Sequence, residues 1–418
     1  MYDPYAEFET GILDNGLTVH VLHDQKKDFV HVSALIHSGS WSDPDAHVGL
    51  AHFVEHMVCA NDSLDLTGVL NWYKSEGGSF GAFTSAFSTS FQFLSPLGIT
   101  AFDDFLKHLK RMCFDTKLAA HLEKERSIIL REHDQGIPAE DTYRRQCDAQ
   151  AQAFIGTPHA RSLTALGTRQ NITDISLKDV QTFREEMHVP GNMSIVCVGG
   201  LSLSDLLVRL RRAGFESVHA VGRVRQTFAP LKTFQQPSVQ NFEFPRKEVS
   251  QAASGGQCTL GRVVMCDGTV PAEAAEIYTA MVSELLMDTL RERLHLVYSA
   301  GAGFHPWGVF QEISLGAKAF PEMRFGEVKD CIDDILSSIA LREDLFLKHQ
   351  THRMVSHRIH DVSMKRIFNV ALSELSRRGS IQTLGAMREE AATVTFDTVL
   401  RIADAVSGTR SVTTIHYH

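Results

Sequence analysis

The sequence has no long basic run, no C-x-x-C pair and no apolar stretch near the roughly 20 residues that cross a bilayer. Each absence removes a class of function. The formal net charge is −9, and no clustered basic face is available to neutralise a phosphate backbone, so nucleic acid is not an expected partner. No membrane span is expected either. The N-terminus, Met1-Tyr2-Asp3-Pro4-Tyr5-Ala6-Glu7-Phe8-Glu9, is acidic and lacks an apolar h-region, so it reads neither as a secretory signal nor as an Arg-rich transit peptide. The 7 cysteines (Cys59, Cys113, Cys147, Cys197, Cys258, Cys266 and Cys331) are scattered. That usage fits reduced, mostly buried thiols and a cytoplasmic location. Cys59 reads as core packing.

What is present is a chain of 418 residues, too long for one ordinary core and comfortable for two domains of about 200 residues each. Hydrophobic content of 43% and charged content of 22% are those of a soluble globular protein. The chain opens as a hairpin, with apolar alternation on both sides of Asn15-Gly16. A third strand is expected at Val30–His37, a helix from Leu50 to Ala60 and another from Leu66 to Ser75. Paired strands are expected at Ser79–Thr84 and Thr89–Ser95. Helices follow at about 101–113, 118–135 and 140–153.

A helix capped by Ser176, a turn at Pro190 and a strand at Ser194–Val198 reappear in the same order near the C-terminus. There Thr395 caps a helix through Val406, Ser407-Gly408 turns, and Ser411–Ile415 reads as a strand. Val180 and Val399 take equivalent places. Such self-similarity reads as a degenerate duplication. Strands are expected at Glu248–Ala252, Leu260–Met265, Val297–Phe304 and Val309–Leu315, with a long helix at Ala272–Arg293. The fold class is therefore α+β, two similar domains, each a mixed sheet packed with helices. The expected spans are 1–215 and 246–418. Residues 216–245, with Pro230, Pro237 and Pro245 and little periodicity, read as the linker.

The chemistry concentrates at His52-Phe53-Val54-Glu55-His56, the reverse of the H-E-x-x-H zinc motif. Two histidines one helical turn apart share a face and can grip one Zn²⁺. Glu55 stands beside them, where a carboxylate can take a proton from a zinc-bound water. The helix Glu123-Lys124-Glu125-Arg126-Ser127-Ile128-Ile129-Leu130-Arg131-Glu132-His133 carries Glu125 and Glu132 two turns apart on one side. One can be a ligand while the other supports the site by hydrogen bonding or charge. Taken alone, such a helix is more often an ordinary solvated face.

These residues resemble the pitrilysin family of inverzincin zinc peptidases, which includes insulin-degrading enzyme and the mitochondrial processing peptidase. The context is similar too. Leu13-Asp14-Asn15-Gly16-Leu17-Thr18-Val19 resembles the family's opening hairpin. Gly39-Ser40-Trp41-Ser42-Asp43-Pro44 and Gly49-Leu50-Ala51-His52 resemble the approach to the motif. Gly77-Gly78-Ser79-Phe80-Gly81-Ala82-Phe83-Thr84-Ser85 resembles the strand that follows. The resemblance covers nearly the whole chain, as a short, two-domain, bacterial-type member. It implies His52, His56 and Glu132 as ligands of one zinc per chain, Glu55 as general base and Glu125 as the supporting carboxylate.

In the second half, Leu290-Arg291-Glu292-Arg293-Leu294-His295-Leu296-Val297-Tyr298-Ser299 resembles the family's arginine–tyrosine segment. The resemblance makes Tyr298 the hydroxyl donor to the oxyanion and gives Arg291 a substrate carbonyl to hold. Two positions depart from the family pattern. His295 stands where a glycine is usual, which puts the turn before Tyr298 in doubt. Gly81 stands where an asparagine is usual, which removes a side chain from the strand expected to bind substrate.

The family's two domains form half of a clamshell, so the resemblance implies a homodimer, or a heterodimer with a homologous subunit. Substrate would add as an extended strand along Ser79, Phe80, Gly81, Ala82, Phe83 and Thr84. The implied function is a zinc-dependent endopeptidase acting on peptides or unfolded segments in a dimeric chamber. The alternatives are a zinc-bearing subunit that needs a homologous partner, and a non-catalytic peptide-binding subunit.

Overall fold

The structure, a computed structural model, describes residues 2–44, 46–60, 66–97, 101–115, 118, 121–136, 165–218, 257–267, 270–307, 310–357, 363–407 and 412–417. The helix expected at 140–153, the strand at 248–252 and nearly all of the linker at 216–245 lie outside these residues. The chain divides into two compact units, Tyr2–Thr227 with Asp361–Ile381, and Phe228–His360 with Gln382–His418.

Strands of the first unit are β1 (Glu9–Ile12), β2 (Thr18–His23), β3 (Phe29–Ile36), β4 (Ser79–Thr84), β5 (Thr89–Pro96) and β6 (Met193–Gly199). Its helices are α1 (Leu50–Cys59), α2 (Leu66–Ser75), α3 (Ala101–Lys110), α4 (Leu122–Gly136), α5 (Arg169–Asp174), α6 (Leu177–Met187) and α7 (Leu203–Arg212). The second unit holds β7 (Gln257–Asp267), α8 (Ala272–Leu286), β8 (Ser299–Trp307), β9 (Phe310–Pro321), α9 (Phe325–Ser338) and α10 (Glu343–Ser356). After α11 (Met364–Arg378), the second unit resumes with α12 (Leu384–Thr393), α13 (Phe396–Ser407) and β10 (Val412–Tyr417).

The opening hairpin forms where Asn15-Gly16 predicts it, with the Gly16 amide donating to the Leu13 carbonyl at 2.8 Å and β1 antiparallel to β2. The first sheet runs β1-β2-β6-β3-β5-β4. Only the β2–β6 pair is parallel. Alternation along β3 sends Val30, Val32, Ala34 and Ile36 to one face, where they share a buried core with Phe91 and Phe93 of β5 and Phe53, Val54 and Met57 of α1. The motif helix is thus anchored by its own apolar residues.

The second sheet runs β10-β7-β9-β8, antiparallel throughout. That order repeats β6-β3-β5-β4 of the first sheet. The paired helix caps repeat as well. The Ser176 hydroxyl accepts from the Asp179 amide before α6, and the Thr395 hydroxyl from the Thr398 amide before α13. The long helix expected at Ala272–Arg293 is α-helical only to Leu286, and Met287–Arg293 widens into π-helical turns.

One boundary differs from the expected 246–418. Residues 361–381, which carry α11, group with the first unit. The cause is an apolar face of Ile367, Phe368, Ala371, Leu372 and Leu375, all buried, with α11 lying against β6 and β3. The His31 ring of β3 lies 5.4 Å from that of Phe368, and the Ser376 and Ser88 hydroxyls are 2.6 Å apart. Burial outranks sequence order in deciding which unit a helix joins.

Candidate metal centre and active site

Helix α1 is buried along its whole length, the three polar motif residues included. Its start is fixed by Asp43, whose carboxylate accepts from the Gly49 amide at 2.7 Å and the Ala51 amide at 2.8 Å. Burial pushes this carboxyl up to about 8, against the opposing pull of the Ala51, Gly49 and Leu50 amides. Gly49 has φ +97°, and a Cβ there would run into the Leu166 carbonyl, so the chain enters the helix through a glycine. Nothing in the sequence spacing singles out Asp43.

Helix α4 is held against α1 by Arg126. Its guanidinium sits 5.3 Å from the Phe53 ring centroid and donates to the carbonyls of Ile172, Thr173 and Ile175, at the end of α5. With α4 so placed, Glu132 Oε2 lies 3.8 Å from His52 Nε2 and 3.5 Å from His56 Nε2. One ligand atom from each of the three residues falls within 4.8 Å of the others. Glu125 is fully buried, and its Oε2 lies 3.1 Å from His56 Nδ1. A carboxylate on Nδ1 fixes the imidazole orientation and leaves Nε2 to face Glu132.

The electrostatics separate the two histidines. Burial, reinforced by His56, pulls His52 down to about 4, so it is neutral near pH 7. Burial also pulls His56 down, but hydrogen bonds to Glu125 and Glu132 outweigh it and hold His56 up at about 9. Glu132 is lowered, chiefly by its hydrogen bond to His56. Glu55 is raised by burial, in part offset by the Thr84 hydroxyl, which donates to Glu55 Oε2 at 2.6 Å. His52 Nδ1 and Glu125 Oε1 are buried without a hydrogen-bond partner among the described residues. Two imidazole Nε2 atoms and one carboxylate are a donor set that zinc accepts, one short of its usual four.

Strand β4 is an edge strand, paired only with β5 among the described residues. Its residues split by face. Phe80 and Ala82 pack against the core, and Thr84 turns its hydroxyl to Glu55. Ser79 and Phe83 are exposed, Phe83 to 60%. A Cβ on Gly81 would meet the Phe83 ring at 3.1 Å, so that ring covers the place where the family's asparagine would project.

In the second unit the Arg291 guanidinium lies 5.6 Å from the Tyr298 ring centroid, and Tyr298 is 72% exposed. His295 has φ +49°, the left-handed region that explains a family glycine there. Its Nδ1 lies 3.0 Å from the Arg291 carbonyl, and the turn closes with the Leu296 amide on the Leu290 carbonyl at 2.8 Å. The histidine therefore accommodates the turn. Among the sequence candidates, the structure gathers His52, Glu55, His56, Glu125, Glu132 and Thr84 in one unit and pairs Arg291 with Tyr298 in the other.

Comparison with known proteins matches two models in tandem. Residues 18–165 match the insulinase model of peptidase family M16, and residues 174–347 match the model described as the peptidase M16 inactive domain. The chain belongs to peptidase family M16. It is 27% identical over 264 residues to the mitochondrial-processing peptidase subunit beta of Lentinula edodes, spanning 60% of this chain and 54% of that protein. It is 27% identical over 214 residues to the probable zinc protease PqqL of Escherichia coli, spanning 48% of this chain and 22% of that one. The matches thus span about half or less of these M16 relatives. A Helicobacter pylori protease shares the fold over 99% of both chains, with a TM-score of 0.79 at 17% identity. Among the described residues, no helix is long and apolar enough to cross a membrane.

Proposed function

We propose that this M16 chain is a zinc-dependent endopeptidase acting on peptides or unfolded segments. The observation that carries the reading is the convergence of His52 Nε2, His56 Nε2 and Glu132 Oε2, with Glu55 on the same buried helix. His52, His56 and Glu132 would hold the ion. Zinc, when bound, supplies a Lewis acid that polarises a carbonyl and makes water a nucleophile at neutral pH. Glu55 takes the proton of the attacking water and returns it to the leaving amine. A carboxyl raised by burial suits that exchange. Glu125 holds the His56 ring through Nδ1.

Substrate would lie extended along the free edge of β4, its main chain paired with that of the strand and its side chains meeting the outward face of Ser79 and Phe83. Tyr298 would donate to the oxyanion and Arg291 would hold a substrate carbonyl, contributed by the second unit of another chain. Their exposure supports this, because a donor awaiting a partner surface must stand clear of its own core. A dimer, with a second copy or a homologous subunit, completes the chamber. The similarity to a processing-peptidase beta subunit favours the heterodimeric form as the second reading. The scattered cysteines keep a cytoplasmic location in the proposal, although PqqL is itself a periplasmic protease.

The test compares zinc content and peptide cleavage in the wild type and in Glu55→Gln. Zinc is expected to stay bound while cleavage falls by about 10²-fold or more. Equal cleavage by the variant removes Glu55 as the base.

A further inference from the structure

The hydroxyl of Thr84 has a task distinct from the peptide-binding edge it sits on. We infer that Thr84 is the positioning residue for Glu55, fixing the orientation of its carboxylate through the Oγ1–Oε2 hydrogen bond. The inference rests on the reading of Glu55 as general base.

The bond is short, 2.6 Å, and the Thr84 hydroxyl donates it. Thr84 Oγ1 also lies 3.4 Å from Thr89 Oγ1, its partner across the β4–β5 pair. The Thr89 hydroxyl donates to the Ser38 carbonyl at 3.0 Å, so its one proton is committed. Thr84 keeps its own proton, and the nearer acceptor is Glu55 Oε2, at 2.6 Å against 3.4 Å for Thr89 Oγ1. The two hydroxyl protons therefore point away from each other, that of Thr89 to the Ser38 carbonyl and that of Thr84 to the Glu55 carboxylate.

The support is rigid. Thr84 closes β4 just before the turn at 85–88, where the Ser85 amide donates to the Ser88 carbonyl at 2.8 Å and the Ser85 hydroxyl accepts from the Phe87 and Ser88 amides. The loop before α1 clamps that turn from outside. The Ser40 amide donates to the Ser85 carbonyl and the Trp41 amide to the Ala86 carbonyl, both at 3.0 Å. Gly39 permits this approach, since a Cβ there would strike the backbone of residues 85 to 88. Trp41 and Phe87 close the contact edge to face at 5.0 Å. The segments that set Thr84 are thus the one leading into the motif helix and the turn ending the strand. A carboxylate on three rotatable bonds gains its orientation from a fixed donor, and a misplacement near 1 Å can cost about 10²-fold in rate.

The experiment uses the full chain as Thr84→Val, which keeps the branched shape, and Thr84→Ser, which keeps the hydroxyl. Crystal structures of both and peptide kinetics with the partner present are read against Glu55→Gln. In Thr84→Val the Glu55 carboxylate is expected to turn away from residue 84, with kcat falling roughly tenfold or more at nearly constant KM. Thr84→Ser is expected to restore both. An unchanged Glu55 conformer in Thr84→Val overturns the inference whatever the activity. So does a loss confined to KM, which would return Thr84 to substrate binding, or an equal loss in Thr84→Ser. If Glu55→Gln cleaves like the wild type, the base reading fails, and the conformer still decides what Thr84 does to Glu55.

Discussion

In the first unit α1 lies against α4, and in the second α8 lies against α10. The repeated sheet order makes these pairs counterparts, yet the charge on their helices is balanced by different means. The first pair gathers Glu55, Glu125 and Glu132 around two histidines, one of them neutral near pH 7, and leaves His52 Nδ1 and Glu125 Oε1 without partners. Among the described residues, the second pair leaves no such surplus. Glu273 of α8 takes two hydrogen bonds from Arg353, at 2.7 and 2.9 Å, and lies 3.2 Å from His357. Glu284 takes Lys348 at 2.7 Å and lies 2.9 Å from His349. A plan that can place carboxylates between two helices must supply cations. The second unit supplies them as side chains, and the first leaves a deficit suited to a divalent ion.

The comparison breaks most visibly at the carboxylates of α4. Glu132→Gln removes a proposed ligand and is expected to weaken zinc binding the most. Glu125→Gln keeps the ligands but loosens the His56 ring, at a cost of roughly 10–100-fold in affinity. Chelator competition on both variants measures the order. Equal affinities for the two would mean that α4 contributes charge without coordination.

The second unit carries the converse test. Glu273→Gln leaves the Arg353 guanidinium, with 26% of its side chain exposed, facing a neutral amide in a site built for an anion. Breaking such a pair from one side costs about 3–5 kcal/mol. Urea unfolding of the wild type and variant reads it. The effect should be stability alone, because no metal ligand is proposed there. A neutral outcome would show that Arg353 relaxes to solvent and that the pairs are not balanced alike.

pH tells the metal-free and zinc-bound forms of the first pair apart by sign. Metal-free His56 sits at about 9, above its unfolded value near 6.5. A raised folded value contributes stability that is complete below 6.5 and is lost as pH rises through 9. The metal-free protein should therefore lose on the order of 3 kcal/mol between pH 6.5 and 9. Asp43, pushed up to about 8 by burial, acts in the same direction. Zinc reverses the trend, since a ligand imidazole must shed its proton and zinc-linked stability grows with pH over that window. Melting temperatures at both pH values, with and without zinc, check the reversal. A fall of equal size with zinc present would mean that zinc does not displace the His56 proton.

Much of this was legible in the sequence, because periodicity and spacing are local. The hairpin at Asn15-Gly16, the two capped helices and the face shared by His52 and His56 follow from rules that act within a few residues. The match of Glu132 to that face needed the family resemblance, since no local rule connects α1 to α4. What stayed illegible depends on contacts distant in sequence. Helix α11 joins the first unit because of the face that Phe368 buries. Thr84 reads as one more residue of an exposed strand until its hydroxyl is seen on Glu55. The His295 departure changed meaning once its φ was known, because a residue that tolerates the left-handed region keeps the turn.

The smallest expected effect lies within the second helix pair and sharpens what burial contributes. Lys348 meets Glu284 at the same 2.7 Å as Arg353 meets Glu273, but with 59% of its side chain exposed. Water already solvates both groups there, and His349 still faces the carboxylate when the lysine is removed. Lys348→Ala should therefore cost only about 0.2–1 kcal/mol. The cost should shrink further in high salt, where counterions screen an exposed pair but reach a buried one poorly. Unfolding at low and high salt, run beside Glu273→Gln, tests the ranking. A Lys348 effect as large and as salt-insensitive as that of Glu273 would mean that contact distance, rather than burial, sets what these ion pairs are worth.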